Sequence, residues 1–200
     1  MSRSAWGARI ASEAQTTMRR HPLMQTITTW PVPIEEIIRT YSGRHLTIRW
    51  FPPTLTIPPE LHGMTLTRSS DGATIWTNPQ DSPLVHRFTL AHEFAHVLAG
   101  HLEFDPDRVV RWPLEVVANA MAAELLLPWH LLAPELPPVR ITTPTAWQRW
   151  RQSVGRAIVQ RAEVSPSVLD YHCVDLGIVT ADVIPLHRHL YLHPTARPKF

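Results

Sequence analysis

Three residues with metal-binding and acid–base chemistry lie close together in this 200-residue chain: His92, Glu93 and His96. The surrounding stretch is apolar, and Gly100 is suited to end a helix there. Side chains four residues apart lie on one face of a helix, so the two imidazoles can bind one metal ion. Glu93 is then placed to reach a water molecule as a general base. This spacing predicts a zinc site of the peptidase kind.

A chance match to the pattern is the simplest alternative, because the chain contains 12 histidines. The stretch around it is strongly apolar, however, and two histidines and a glutamate are costly to bury there without a partner. A closed structural zinc site is a second alternative, but it would need a fourth protein ligand and would leave Glu93 without a role. We therefore expect a catalytic site in which three protein ligands hold one zinc ion (Zn2+) and a fourth position stays open.

His101 is the nearest candidate for the third ligand. It follows His96 by five residues, which is about 140° around a helix. A metzincin site would have glycine three residues and histidine six residues after the second motif histidine. This chain has Ala99 and Leu102 at those positions. We expect His101 at the helix end or in a pocket wall, where it is a candidate, with His130, for stabilising an oxyanion.

A second helix, predicted over residues 114–127, offers Glu115 and Glu124. They are nine residues apart and therefore point to nearly opposite faces, at about 100° per residue. Glu115 shares its face with small alanines and with Asn119, which is suited to hydrogen-bond a ligating histidine. Glu124 is expected to pair with an arginine or to face solvent. We choose Glu115 as the third ligand and keep Glu124 in reserve.

The elements that must position these residues predict an α+β fold. We expect a minimal zincin-like domain, in which a small antiparallel sheet packs on the motif helix and a second helix carries Glu115. The turn before Gly72 is typical of a hairpin. The other predicted elements are a helix over 33–39, strands over 46–51, 64–68 and 73–77, and helices over 146–162 and 166–177.

Changes in composition divide the chain into four parts. Residues 1–30 are polar and weakly patterned, and we expect them to be partly mobile. Residues 31–135 are predicted to form the metallopeptidase domain, and residues 145–180 a small helical C-terminal region. Residues 181–200 form a tail with three histidines, for which we expect a solvated, weakly structured state.

The overall composition excludes several classes of protein. Hydrophobic residues make up 44% of the chain, enough for a substantial core, and the formal net charge is only +2. Cys173 is the only cysteine, which excludes an intrachain disulfide and a cysteine-based zinc site. We expect neither a secretory signal nor a membrane span, because the N-terminal stretch lacks an apolar core and no apolar run approaches about 18 residues. A cytoplasmic protein is expected.

Two sequence segments together are similar to the ImmA/IrrE family of metallopeptidases. They are Arg87–His96, around the motif, and Glu115–Pro128, on the second helix. The similarity extends to Leu61–Met64 and, much more weakly, to Val164–Ile178, so it covers roughly residues 33–180. Met121 stands where an aromatic residue is common in the family.

The resemblance implies a gluzincin-like zinc peptidase. By position, His92, His96 and Glu115 would bind zinc and Glu93 would be the catalytic base. Family members typically cleave a helix-turn-helix repressor, so the expected partner is a protein of that kind. The expected consequence is derepression of genes of a mobile element, a toxin–antitoxin-like system or a stress response.

The main alternative is a DNA-binding or partner-binding regulator with a structural or sensory zinc site. Residues 150–177 resemble two helices joined by a short turn. The second of them is expected to expose an acidic surface that lacks arginine and lysine, which is unsuited to a phosphate-lined groove. Direct nucleic-acid binding is therefore not expected. The residues expected on that surface are Ser167, Asp170, Tyr171 and Asp175.

Overall fold

Two long helices packed beside a small sheet form the part of the fold that carries the motif. The computed structural model describes residues 3–69, 72–101 and 111–184. The helices are α1 (Arg3–Arg20), α2 (Ile34–Thr40), α3 (Pro83–Leu98), α4 (Arg111–Leu126), α5 (Trp129–Leu132), α6 (Pro144–Trp150), α7 (Arg156–Ala162) and α8 (Pro166–Asp175). The strands are β1 (His45–Trp50), β2 (Gly63–Ser69) and β3 (Gly72–Thr77). The predicted α+β class is confirmed.

The sheet is mixed, which corrects the prediction of an antiparallel one. The strand order is β1-β3-β2, with β3 in the centre. The predicted hairpin of β2 and β3 is antiparallel, whereas β1 runs parallel to β3. Residues 51–62, which contain two proline pairs, are long enough to carry the chain across the sheet. The third strand can therefore lie between the first two.

The motif helix α3 packs its apolar side on the sheet. Ile75 of the central strand and Leu90 and Phe94 of α3 are fully buried in one hydrophobic core. Ser82 begins the helix, because its hydroxyl oxygen accepts a hydrogen bond from the backbone N–H of Val85. Gly100 follows its end with a φ of 69°, a left-handed conformation that favours glycine. The predicted helix end is confirmed.

The N-terminal segment forms helix α1, an element that its weakly patterned sequence did not predict. Ala11, Ala14 and Met18 are buried in the core shared with α4. Their spacing is helical, but the polar residues between them conceal the pattern in the sequence. Small alanines allow α1 to pack closely on its neighbours, so this segment stabilises the helix that carries Glu115.

The C-terminal helical region differs from the prediction in two ways. A π-helical turn over Arg151–Gly155 interrupts the helix expected over 146–162. Asp170 and Tyr171, expected on an exposed acidic surface, are instead mostly buried. The Nε–H of Arg151 donates a 2.7 Å hydrogen bond to Oδ1 of Asp170. This face of α8 is therefore engaged within the protein.

The four-part division of the chain stays a prediction. Residues from Ala11 to Ile184 contribute to the same hydrophobic core. Residues 185–200, which include the histidines of the predicted tail, lie outside the described part of the structure.

Among the described residues, no single helix is long and apolar enough to cross a membrane. The segments Pro113–Leu126 and Trp129–Glu135 meet that criterion only as a pair, which is bent by 49°.

Candidate metal centre

Helix α3 brings the two motif histidines together as the spacing predicts. The Nε2 atoms of His92 and His96 are 3.1 Å apart. Both side chains are only partly exposed, at the surface of the helix that faces α4. Two imidazole nitrogens of one helix therefore converge on one point.

Glu115 on α4 closes this pair into a triangle of ligand atoms. Its Oε2 lies 3.2 Å from Nε2 of His92 and 3.7 Å from Nε2 of His96. A tetrahedral zinc ion with bonds of about 2.0–2.1 Å separates its ligand atoms by about 3.3–3.4 Å. The observed distances bracket that value, so two imidazoles and a carboxylate in this arrangement fit a zinc ion.

The close packing of α3 and α4 makes direct contact across the triangle feasible. Four alanines are buried in the hydrophobic core that α3 and α4 share: Ala91 and Ala95 of α3, and Ala118 and Ala122 of α4. Short side chains allow helix axes to approach to the lower end of the usual 8–10 Å. The glutamate side chain of Glu115 can then reach both histidines.

Each motif histidine has a further partner on its other ring nitrogen. Nδ1 of His92 is 2.9 Å from Oδ1 of Asn119, and Nδ1 of His96 is 2.8 Å from Nδ1 of His101. With Nε2 turned to a metal, each Nδ1 carries the proton and donates it to these acceptors. Asn119 and His101 are therefore placed to fix the tautomer and ring orientation of the two histidines. For Asn119, this is the contact that the sequence predicts.

Charge within the group favours the ligating state of Glu115. Burial alone raises the pKa of this carboxyl, but hydrogen bonds and charges from His92 and His96 outweigh burial and hold the pKa well below its usual range. The carboxylate is therefore present at neutral pH. Burial and the neighbouring His96 lower the pKa of His101 to about 4, so its ring is neutral and can accept a hydrogen bond.

Glu93 lies beside the triangle but is not part of it. Its side chain is buried, and its Oε2 accepts a 2.8 Å hydrogen bond from the hydroxyl of Thr65 on β2. The sequence pattern did not single out Thr65. The feature of the sequence that could have indicated Thr65 is the alternation of side chains along β2. This alternation places residues 63, 65 and 67 on the face that meets α3.

The reserve ligand Glu124 is placed away from this centre. It is fully buried, with Arg19 Nε 3.0 Å from its Oε2. The backbone N–H of Trp129 donates a 2.8 Å hydrogen bond to its Oε1. The expected pairing with an arginine is confirmed, whereas exposure to solvent is excluded.

His130 also lies away from the ligand triangle, beyond the C-terminal end of α4, whereas Glu115 lies near the N-terminal end of that helix. Its Nε2 is 2.7 Å from the carbonyl oxygen of Ile27.

A comparison with protein families matches the IrrE N-terminal-like domain to residues 54–173. This match covers more than half of the chain and includes β2, β3 and all three residues of the metal group. The chain belongs to the ImmA/IrrE metallopeptidase family. No curated protein matches the chain as a relative.

The family assignment and the geometry agree on the chemistry of the site. ImmA/IrrE proteins are zinc metallopeptidases, and His92, His96 and Glu115 form a group that could hold a metal ion, with all ligand atoms within 4.8 Å of one another. Within residues 3–69, 72–101 and 111–184, no fourth His, Cys, Asp or Glu joins that group. A peptidase acts on a protein or peptide, so the partner of this site is of that class.

Proposed function

We propose that this ImmA/IrrE chain is a zinc-dependent endopeptidase that cleaves an intracellular helix-turn-helix repressor and thereby derepresses genes. The ligand triangle of His92, His96 and Glu115, with Glu93 beside it, is the observation that carries the proposal. The substrate class rests on the family resemblance. A cytoplasmic site of action follows from such a substrate.

The proposed mechanism assigns separate tasks to the residues around the triangle. His92, His96 and Glu115 would hold the ion, which when bound supplies Lewis-acid chemistry to a carbonyl oxygen and a water molecule. Glu93 accepts the proton of the attacking water and then delivers it to the leaving amine nitrogen. Thr65 engages Oε2 of Glu93, and we assign the exchange of the proton to the other oxygen, Oε1.

Strand β2 gives the proposed site a way to hold an extended peptide. It lies at the edge of the sheet, with β3 on one side, within the described part of the chain. An extended substrate can add to such an edge through main-chain hydrogen bonds. Since Thr65 lies on this strand and contacts Glu93, a peptide bound there would pass beside the proposed base.

The rival proposal is a regulator with a structural or sensory zinc site. A structural zinc site normally has four protein ligands, and the described residues supply three in this group. A structural site also needs no general base, so it would leave the buried Glu93 without a function. Salt-sensitive retention of DNA by the purified protein, without metal-dependent proteolysis, would favour the regulator.

Cleavage of a neighbouring repressor tests the proposed function. Where a helix-turn-helix protein is encoded beside this chain, we expect the zinc-loaded protein to cut it, with the cleaved bond mapped by mass spectrometry. Glu93→Gln should abolish cleavage while retaining zinc, because it removes the proton acceptor but no ligand. Glu36→Gln, at an exposed glutamate of α2, is the matched control and should cleave normally. Full activity of Glu93→Gln would contradict the assigned base.

A further inference from the structure

We propose that Thr65 is a positioning residue that holds the carboxylate of Glu93 in the orientation needed for proton transfer. The inference rests on the proposed function, because the orientation of Glu93 matters for catalysis only if it acts as the base. Its structural basis is the 2.8 Å hydrogen bond from the Thr65 hydroxyl to Oε2 of Glu93. The two residues are 28 positions apart in the chain and lie on different elements.

Gly63 explains how strand β2 comes close enough to make this contact. A Cβ atom at that position would lie 2.4 Å from Cγ2 of Thr89, 3.0 Å from the carbonyl oxygen of Trp76 and 3.4 Å from Cγ of Glu93. A side chain of any size would therefore push the strand away from α3. Thr65 lies two residues further on the same face of the strand, directly against the buried glutamate.

The chemistry of threonine suits the task of orienting a carboxylate. A buried carboxylate needs hydrogen-bond donors, and a bond from a hydroxyl to an ionised oxygen is among the stronger ones. The branched Cβ of Thr65 restricts its χ1 angle, and the central strand β3 holds its backbone opposite Ile75. The donor is therefore fixed before a substrate arrives.

Thr65 completes a set of supporting contacts around the site. Asn119 of α4 contacts His92, and His101, beyond the end of α3, contacts His96. The contact from Thr65 is the corresponding support for the base, and it comes from the sheet. Removal of such supporting partners in metal sites typically costs about 10–100-fold in metal affinity or activity.

The test measures binding of acetohydroxamic acid to the zinc-loaded protein by calorimetry, so it requires no knowledge of the natural substrate. This probe chelates zinc through its two oxygens, and the hydroxyl proton that it releases passes to the adjacent carboxylate. Thr65→Val and Thr65→Ala remove the hydroxyl, whereas Thr65→Ser retains it. Thr67→Val is the matched control, because Thr67 lies on the same face of β2 and is exposed.

We expect Thr65→Val and Thr65→Ala to weaken binding of the probe about tenfold, and Thr65→Ser and Thr67→Val to leave it within twofold. Zinc content should be retained, since Thr65 contacts the base and not a ligand. The melting temperature of Thr65→Val should fall by only about 2–4 °C, the scale of one lost buried hydrogen bond. In a Glu93→Ala background, Thr65→Val should have no further effect.

Two results would overturn the role of Thr65: equal losses from Thr65→Val in the presence and absence of Glu93, or a loss in Thr65→Ser as large as in Thr65→Val. Failure of the proposed function gives a different result. Either the protein does not bind zinc, or Glu93→Ala leaves binding of the probe unchanged; the latter removes the base assignment and the role of Thr65 with it.

Discussion

Asn119 Oδ1 lies 2.9 Å from Nδ1 of His92, so α4 supports the motif helix as well as supplying Glu115 to the metal group. The two residues that α4 contributes are four positions apart, one turn of helix. Their common face means that a single docking of α4 on α3 both places Glu115 beside the two histidines and orients the ring of His92.

Loss of the Asn119 amide should weaken zinc binding without changing the ligand set. We expect Asn119→Ala to lower zinc affinity about 10–100-fold, because the Nδ1–H of His92 loses its acceptor and the ring can rotate. Competition with a fluorescent chelator measures this affinity. Asn119→Asp keeps an acceptor oxygen and should stay close to the parent protein. Equal losses in both variants would show that the hydrogen bond is not what matters.

Glu124→Gln should affect folding stability and leave the metal site intact. The substitution removes the negative charge that pairs with Arg19. The Arg19 side chain is partly exposed, so solvent can compensate part of that loss. We expect a loss of about 2 kcal/mol in the free energy of unfolding, between the costs of breaking an exposed and a fully buried ion pair. Urea denaturation measures this loss, and zinc content should remain at one ion per chain. Loss of zinc would mean that Glu124 also acts on the metal group.

Gly63→Ala should separate β2 from α3. The new Cβ would lie 2.4 Å from Cγ2 of Thr89 and 3.0 Å from a backbone oxygen of the central strand. We expect destabilisation of about 1–3 kcal/mol, the usual cost of overpacking, together with weaker binding of acetohydroxamic acid. Gly43→Ala provides the comparison, since the atoms crowded there belong to the end of the Tyr41 side chain and not to the backbone. Similar effects at both positions would argue against a special approach at Gly63.

Stability of the metal-free protein should depend on pH through His172. Burial and the charge of Arg19 lower the pKa of this fully buried histidine from 6.5 to about 3. Between these values the unfolded chain binds the proton and the folded protein does not, so stability falls as pH falls through this window. The slope contributed by one site is at most about 1.4 kcal/mol per pH unit.

His172→Asn should reduce that slope. Its Nε2 lies 3.1 Å from the carbonyl oxygen of Leu127, and its Nδ1 lies 3.2 Å from Nε2 of Gln15. An asparagine retains hydrogen-bonding groups but does not titrate. Urea denaturation at several pH values between 6.5 and 3 gives the comparison. An unchanged slope in the variant would assign the dependence to other groups.

Local patterns were sufficient to predict that His92, His96 and Glu115 lie together. The histidines at positions 92 and 96 belong to one helix, whose periodicity is visible in adjacent residues. The choice between Glu115 and Glu124 also depended on one helix, since their angular separation follows from helical geometry. Their placement, one at the triangle and one beside Arg19, agrees with that reasoning.

Contacts between distant segments could not be predicted in the same way. The exchange of strand order depends on how residues 51–62 cross the sheet, and no local pattern specifies that path. Helix α1 is stabilised by packing on α4, not by a strongly apolar face of its own. The Thr65–Glu93 hydrogen bond depends on both the strand order and the close approach at Gly63, so it required the folded structure.

Zinc content across single substitutions tests the central claim most directly. The account assigns His92, His96 and Glu115 as ligands and Glu93 as a group that does not bind the ion. Elemental analysis after dialysis should therefore find about one zinc ion per chain in the parent protein and in Glu93→Gln, and little zinc in the alanine variants of the three ligands. Zinc retained by Glu115→Ala, or lost from Glu93→Gln, would contradict the account.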